Sequence, residues 1–225
     1  MTTPDRPAPR PLRRDAQRNR EAIVEAARQV FCDQGLEAPL EQIARHARVG
    51  IATLYRRFPS RAALLDAVLT VDLQAHIDAA EQALAIDDPW DGFAFYLEQS
   101  CRLQATDRGL NDVMGMRFPR ATAVEAAKAR LFELLGQVVD RAQQSGQLRA
   151  DVTLEDLAFL NWANTRILPA VRAAGAPDAW RRPLGLLLDG LRAERAHPLP
   201  HPPLSPQQVH RAMVTLGRRS AGEAH

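Results

Sequence analysis

The stretch Leu40 to Leu65, LEQIARHARVGIATLYRRFPSRAALL, constrains this chain more than any other, because its apolar spacing reads as two short helices, a tight turn and a third helix. Leu40, Ile43, Ala44 and Ala47 fall at i, i+3, i+4 and i+7. That spacing turns one stripe of a helix toward a core and leaves Glu41, Gln42, Arg45 and His46 outside. Gly50 interrupts the run. Leu54 and Phe58 then repeat at i, i+4 as the buried side of a second helix, so that Thr53, Tyr55, Arg56 and Arg57 project from its other faces. Pro59 stops this helix, since the residue before a proline is pushed out of the helical region, and Ser60 is placed to cap the next one.

The projecting residues suit nucleic acid. Two hydroxyls (Thr53, Tyr55) and two guanidinium groups on one short amphipathic helix offer donors for phosphate oxygens and, from arginine, a fork that fits the major-groove edge of guanine. The plainer reading is an arginine-rich solvated face, but a phenol among the arginines gains little there, whereas on DNA it reaches a phosphate. The motif GIATLYRRFPSR resembles the recognition helix and following turn of the tetracycline repressor (TetR) family of bacterial one-component regulators. The resemblance covers residues 15 to 70 and includes EAIVEAARQVFCDQGLEAPLEQIA, which is similar to the family's first two helices. Three positions depart from the family pattern: Arg48, where the turn more often carries glycine, Arg61, where lysine is commoner, and Pro39, where a serine or threonine cap is usual. The DNA-contacting set expected from motif and resemblance is Arg45, Arg48, Thr53, Tyr55, Arg56, Arg57 and Arg61.

Alternating Val/Ile/Thr runs bounded by turns are missing, and Ala, Leu and Arg abound, so the chain is predicted to be all-α, with no strand. The net charge of +2 says little, but its distribution says more: Met1 to Thr70 carries 12 Arg and no Lys against 8 acidic residues, a net of +4. The basic end is therefore the motif end. No apolar run approaches a membrane span, and MTTPDRPAPRPLRRD lacks the apolar core of a secretory signal, so a cytoplasmic protein is expected. Cys32 and Cys101 have neither metal nor redox spacing and read as small buried hydrophobes.

The predicted order is a flexible Arg/Pro arm (1–14), a helix-turn-helix head (15–70), a larger helical domain (71–196) and a Pro-rich tail (197–225). Asp15 is read as the cap of a helix from Ala16 to about Asp33, with Gly35 just past its end. Ser60 opens a long helix to about Ile86, and Asp87-Asp88-Pro89 starts the next. Thr122 to Ser145 is a clear helix closed by Gly146. Thr153 and Asp156 imitate a capping box, Asp178 is read as capping a helix from Ala179 to Ala196, and Ser205-Pro206 as starting a short tail helix.

In the family, the second domain both dimerises and encloses an effector pocket, and the resemblance implies the same division here. The homodimer interface is placed on Leu157, Leu160, Trp180, Leu184, Leu187, Leu188 and Leu191, since the leucine face would otherwise be left open. The pocket is placed at Phe93, Leu97, Met114, Met116, Phe118, Phe132 and Trp162, with Asn161 and Arg166 as polar anchors, around an irregular Gly/Pro segment. Plain core packing is the competing account of each apolar residue, and Arg166 has Glu155 or Asp156 as alternative partners. The effector so implied is a mainly hydrophobic or aromatic small molecule.

His197 and His201 are four apart, but Pro198 and Pro200 forbid the helix that would converge them, so no metal site is expected. No cofactor motif and no nucleophile with a companion base is present, so no enzyme is expected. The function read from the sequence is a dimeric, sequence-specific DNA-binding regulator, a repressor released from a palindromic operator by its effector. The alternative is a helical dimer whose second domain binds a protein or ligand while the head recognises no specific operator.

Overall fold

The computed structural model describes residues 10–35, 37–106, 122–160, 163, 171, 174–176, 178–209, 211, 212 and 215. Its helices are α1 (Arg10–Gln34), α2 (Leu40–His46), α3 (Ile51–Arg57), α4 (Arg61–Ala85), α5 (Pro89–Thr106) and α6 (Thr122–Gln144), then α7, described over residues 154–160, and α8 (Arg181–Leu191). A short 3-10 turn, Ala193–Arg195, follows α8. The chain divides into two compact units, Met1–Val68 and Leu69–His225. Among the described residues there is no strand, only an isolated antiparallel bridge between Leu148 and Arg192. No helix among them is long and apolar enough to cross a membrane.

The first unit is a small head with one core. Ile23, Ala27, Val30 and Phe31 from α1, Ile43 and Ala44 from α2, Leu54 from α3, then Phe58, Leu64 and Val68 are buried together. Their spacings are the i, i+3, i+4 repeats of the sequence, so each helix turns one stripe inward. α1 begins six residues before the expected Ala16. Pro11 falls in its first turn, where a missing N–H costs nothing, so the helix takes in residues 10–14 of the expected arm and Asp15 lies inside it, paired with Arg18 rather than capping. Gly35 takes φ 82° just past the end of α1, the left-handed position for which the residue suits.

Side-chain caps set the starts of α4, α5 and α7, whereas α2, α3 and α8 begin without one, so Asp178 does not cap α8. The Ser60 hydroxyl accepts the N–H of Ala63 at 3.1 Å at the entry to α4, and the Asp88 carboxylate accepts that of Asp91 at 2.8 Å at the entry to α5. The Asp91 N–H, and after it the Gln147 amide, holds the Asp88 carboxyl below its ordinary range. Thr153 and Asp156 exchange backbone and side-chain bonds, Thr153 N–H to Asp156 at 3.0 Å and Asp156 N–H to Thr153 at 3.3 Å, as a reciprocal box. Ser205 and Gln208 do the same, at 2.8 and 3.3 Å, ahead of a turn of helix over residues 206–209.

In the second unit α5 packs on α6 and on α8. Trp90, Phe93, Leu97 and Cys101 of α5 are buried, as are Leu131, Leu134, Val138 and Ala142 of α6. α8 is shorter than the expected Ala179–Ala196. Past Leu191 the backbone turns extended, because the turn after α6 takes over its hydrogen bonds: Arg149 N–H donates to Leu191 at 3.0 Å and Ala193 N–H to Gln147 at 2.9 Å. The Arg192 side chain then lies over the Trp90 ring, 3.8 Å from its centre. Arg141 of α6 closes the end of α4, donating to the carbonyls of Leu84 and Asp87 at 2.8 and 2.6 Å. Carbonyls at the end of a helix have no partner of their own, and a cation there also meets the negative end of the helix dipole.

Candidate nucleic-acid interface

The turn between α2 and α3 decides how α3 is presented. Arg48 N–H donates to the carbonyl of Arg45 at 3.1 Å and Val49 N–H to that of Ala44 at 3.0 Å, the bond pair of a Schellman turn. This turn needs one left-handed residue, and Arg48 is it, with φ 55°. Glycine is the usual occupant, because a β-carbon crowds the following carbonyl there. Val49 packs on the head core, the apolar contact that accompanies such a turn. We expect Arg48→Gly to raise head stability by roughly 0.5–1 kcal/mol in urea unfolding. If Arg48 also serves a phosphate, the same variant will bind DNA more weakly and with a shallower salt dependence.

α3 is fixed by its inner face. Leu54 is fully buried and Phe58 nearly so, with the Arg20 guanidinium 5.4 Å from the centre of the Phe58 ring. The opposite side is open: Tyr55 is 47% exposed, Arg56 is exposed, and Thr53 and Arg57 are half-buried. Gly50 starts the helix with its carbonyl accepting from Thr53 at 2.8 Å and Leu54 at 3.2 Å, and contributes no side-chain cap. The Nε of Arg57 is buried and has no hydrogen-bond partner, so any phosphate contact falls to its terminal nitrogens. Arg45 and Arg48 are exposed at the end of α2 and in the turn. The structure therefore brings Arg45, Arg48, Thr53, Tyr55, Arg56 and Arg57 onto α2, the turn and α3 of one head.

Arg61 is engaged differently. Its guanidinium donates to the Ala38 carbonyl at 2.7 Å, pinning the start of α4 to the segment that leads into α2. A second tie that the sequence does not signal joins α2 to α1, between the His46 ring and the Gln29 side chain at 2.9 Å. Both bonds span long stretches of chain, 23 and 17 residues, which periodicity cannot register.

In the second unit Phe93 and Leu97 are buried on α5, whereas Phe132 on α6 is 49% exposed. Met114, Met116, Phe118, Asn161, Trp162 and Arg166 lie outside the described residues, as does the side chain of Cys32. Of the residues expected to pair two subunits, Leu157, Trp180, Leu184 and Leu191 are buried within the single chain, and Leu160, Leu187 and Leu188 are half-buried. The large apolar side chains left open on α7 and α8 are Phe159 and Leu186, 51% and 64% exposed. The periodicity of α8 supports more than one apolar stripe, and the stripe through Leu184 and Leu191 faces the chain's own core. Leu186 was within reach of sequence reasoning, since it lies across the helix from Leu184, where a solvated face would place a polar residue.

A seven-residue helix locked by its apolar side, preceded by a tight turn and presenting a phenol and arginines outward, defines a helix-turn-helix head joined to a larger helical unit. Residues 23–68 match the family described as bacterial regulatory proteins, tetR family, and residues 88–193 match a domain described as transcriptional regulator SbtR-like, C-terminal domain. The HTH-type transcriptional regulator UidR of Escherichia coli is 29% identical over 197 residues, covering 79% of this chain and 96% of that protein. A TetR transcription regulatory protein from Mycobacterium vanbaalenii, of known crystal structure, is 32% identical, with 81% of this chain and 99% of that one covered and a TM-score of 0.55. GusR of Salmonella enterica is 25% identical, covering 81% and 96%, with a TM-score of 0.57. The chain belongs to the tetR family of bacterial regulatory proteins and is a DNA-binding transcriptional regulator.

Proposed function

We propose that this regulator acts as a homodimeric repressor, with two heads on a palindromic operator and release by a small-molecule effector, mainly hydrophobic or aromatic, taken up by the second unit. The observation that carries the DNA part is α3, whose Leu54 and Phe58 side is locked while Tyr55 and Arg56 stand open. In support of pairing, Phe159 and Leu186 offer apolar surface that a partner copy would cover. Two heads reading successive major grooves require recognition helices about 34–36 Å apart, or a multiple of a helical turn, hence two half-sites at that spacing.

The deciding experiment is anisotropy titration of the DNA flanking its own gene against random duplex, with sedimentation to establish the dimer. Preference for the flanking DNA supports the reading. Equal binding to both duplexes by a dimer favours instead a helical dimer whose second unit serves a protein or ligand without specific operator recognition.

Within this reading Tyr55 and Arg57 serve phosphates. Tyr55→Phe and Arg57→Ala should weaken binding to every sequence alike, and Arg57→Ala should lower the magnitude of the log-affinity against log-salt slope by about one. A slope that stays at its original value removes Arg57 from the phosphate set.

A further inference from the structure

We propose that the far end of α5 carries a polar subsite for a small uncharged ligand that presents a hydrogen-bond donor, a hydroxyl or an N–H, on an apolar frame. This rests on reading the second unit as a ligand receptor, and specifies the chemistry it receives. Tyr96, Ser100 and Gln104 follow at i, i+4 and i+8, so they stack along one stripe of α5, and all three are buried. Phe93, Leu97 and Cys101, also buried, share the helix beside them.

The three polar groups are linked in series. Gln104 Nε2 donates to the Ser100 hydroxyl oxygen at 3.5 Å, and Ser100 is hydrogen-bonded to the Tyr96 phenol. Burial pushes that phenol well above its ordinary range, so it stays neutral. The series ends at Gln104 Oε1, which is buried and meets no donor, on a residue only 5% exposed. A buried carbonyl oxygen that has left water without finding a donor is costly, and such groups are rare in folded proteins unless water or a ligand completes them.

An open acceptor selects a donor. No lysine or arginine is among the buried side chains of the described residues, while Asp72 and His76 are buried on α4 in the same unit. A carboxylate or phosphate would therefore meet no permanently charged cation among them, and burying an unpaired charge is penalised heavily. The apolar neighbours on α5 supply the frame, and Gln104 supplies the one oriented contact, the usual composition of a small-molecule site.

The test uses the full-length protein and three molecules with one skeleton: para-cresol, which donates, para-methylanisole, which does not, and para-toluate, which is anionic. By calorimetry, para-cresol should bind about tenfold more tightly than para-methylanisole, and para-toluate no more tightly than para-methylanisole. Gln104→Leu, close in size, should abolish the tenfold preference. Two results overturn the proposal: no preference for para-cresol in the parent protein, or a preference that survives Gln104→Leu. Binding of para-cresol that depends on Gln104 but leaves operator affinity unchanged keeps the subsite and refutes release by an effector at this place.

Discussion

Gly92→Ala is expected to lower the thermal midpoint of the second unit by roughly 5–10 °C, whereas Gly136→Ala should raise it by about 2–3 °C. Both glycines lie inside helices, α5 and α6, where alanine is intrinsically preferred by up to about 1 kcal/mol. At Gly136 a β-carbon would meet nothing within 4 Å, so the intrinsic gain is the whole effect. At Gly92 the added carbon would stand 2.4 Å from the carbonyl oxygen of Ala83, far inside contact distance. That oxygen belongs to the backbone of α4 and cannot swing away as a side chain would. The two helices must move apart, which disturbs the Asp88 cap and the Arg141 bonds to Leu84 and Asp87 close by in the chain. Crowding of this kind costs about 2–3 kcal/mol and outweighs the propensity gain. Differential scanning calorimetry of the two variants beside the parent checks both signs, and a Gly92→Ala protein as stable as the parent would show that α4 and α5 do not approach so closely.

Arg56→Ala should reduce affinity for the specific operator by roughly 5- to 150-fold, the equivalent of about 1–3 kcal/mol, while random duplex loses little. Arg56 sits in the last turn of α3 on the open side, next to Tyr55 and away from the Leu54 and Phe58 anchor. A planar fork there is suited to the paired acceptors of guanine, and its loss would relax preference at one base pair. Arg56→Lys should recover only part of the affinity, because a lysine is a point charge without the fork. Anisotropy titrations on operator, single-base operator variants and random duplex separate the outcomes: an equal loss on all of them assigns Arg56 to a phosphate, and Thr53 becomes the better candidate for base contact.

Much of the helical layout was legible because it rests on bonds between near neighbours. Ser60 with Ala63, Asp88 with Asp91, Thr153 with Asp156 and Ser205 with Gln208 each close over three residues, and a three-residue pattern is visible in a string of letters. Leu54 and Phe58 as the buried side of α3 follow from the same locality. The start of α1 was misread for a related reason: Asp15 has the chemistry of a cap, but nothing in the sequence says that helix formers on its N-terminal side will not simply continue the helix through it. The end of α8 was misread because a distant segment stops it, the Gln147–Arg149 turn that takes its last backbone groups.

The sequence by itself determined the class of the fold, the helix-turn-helix and the open side of α3, because apolar spacing and capping act over one or two helical turns. The tertiary structure alone decided which long-range partner each side chain takes. Arg61 reaches the Ala38 carbonyl, the His46 ring meets the Gln29 side chain, and Gly92 admits the Ala83 carbonyl. It also decided that Leu184 and Leu191 face inward while Leu186 and Phe159 stay open, and that Gln104 keeps a buried oxygen without a donor. A periodic pattern says that a face is apolar, but which apolar face is covered, and by what, depends on where segments far apart in the chain come to pack.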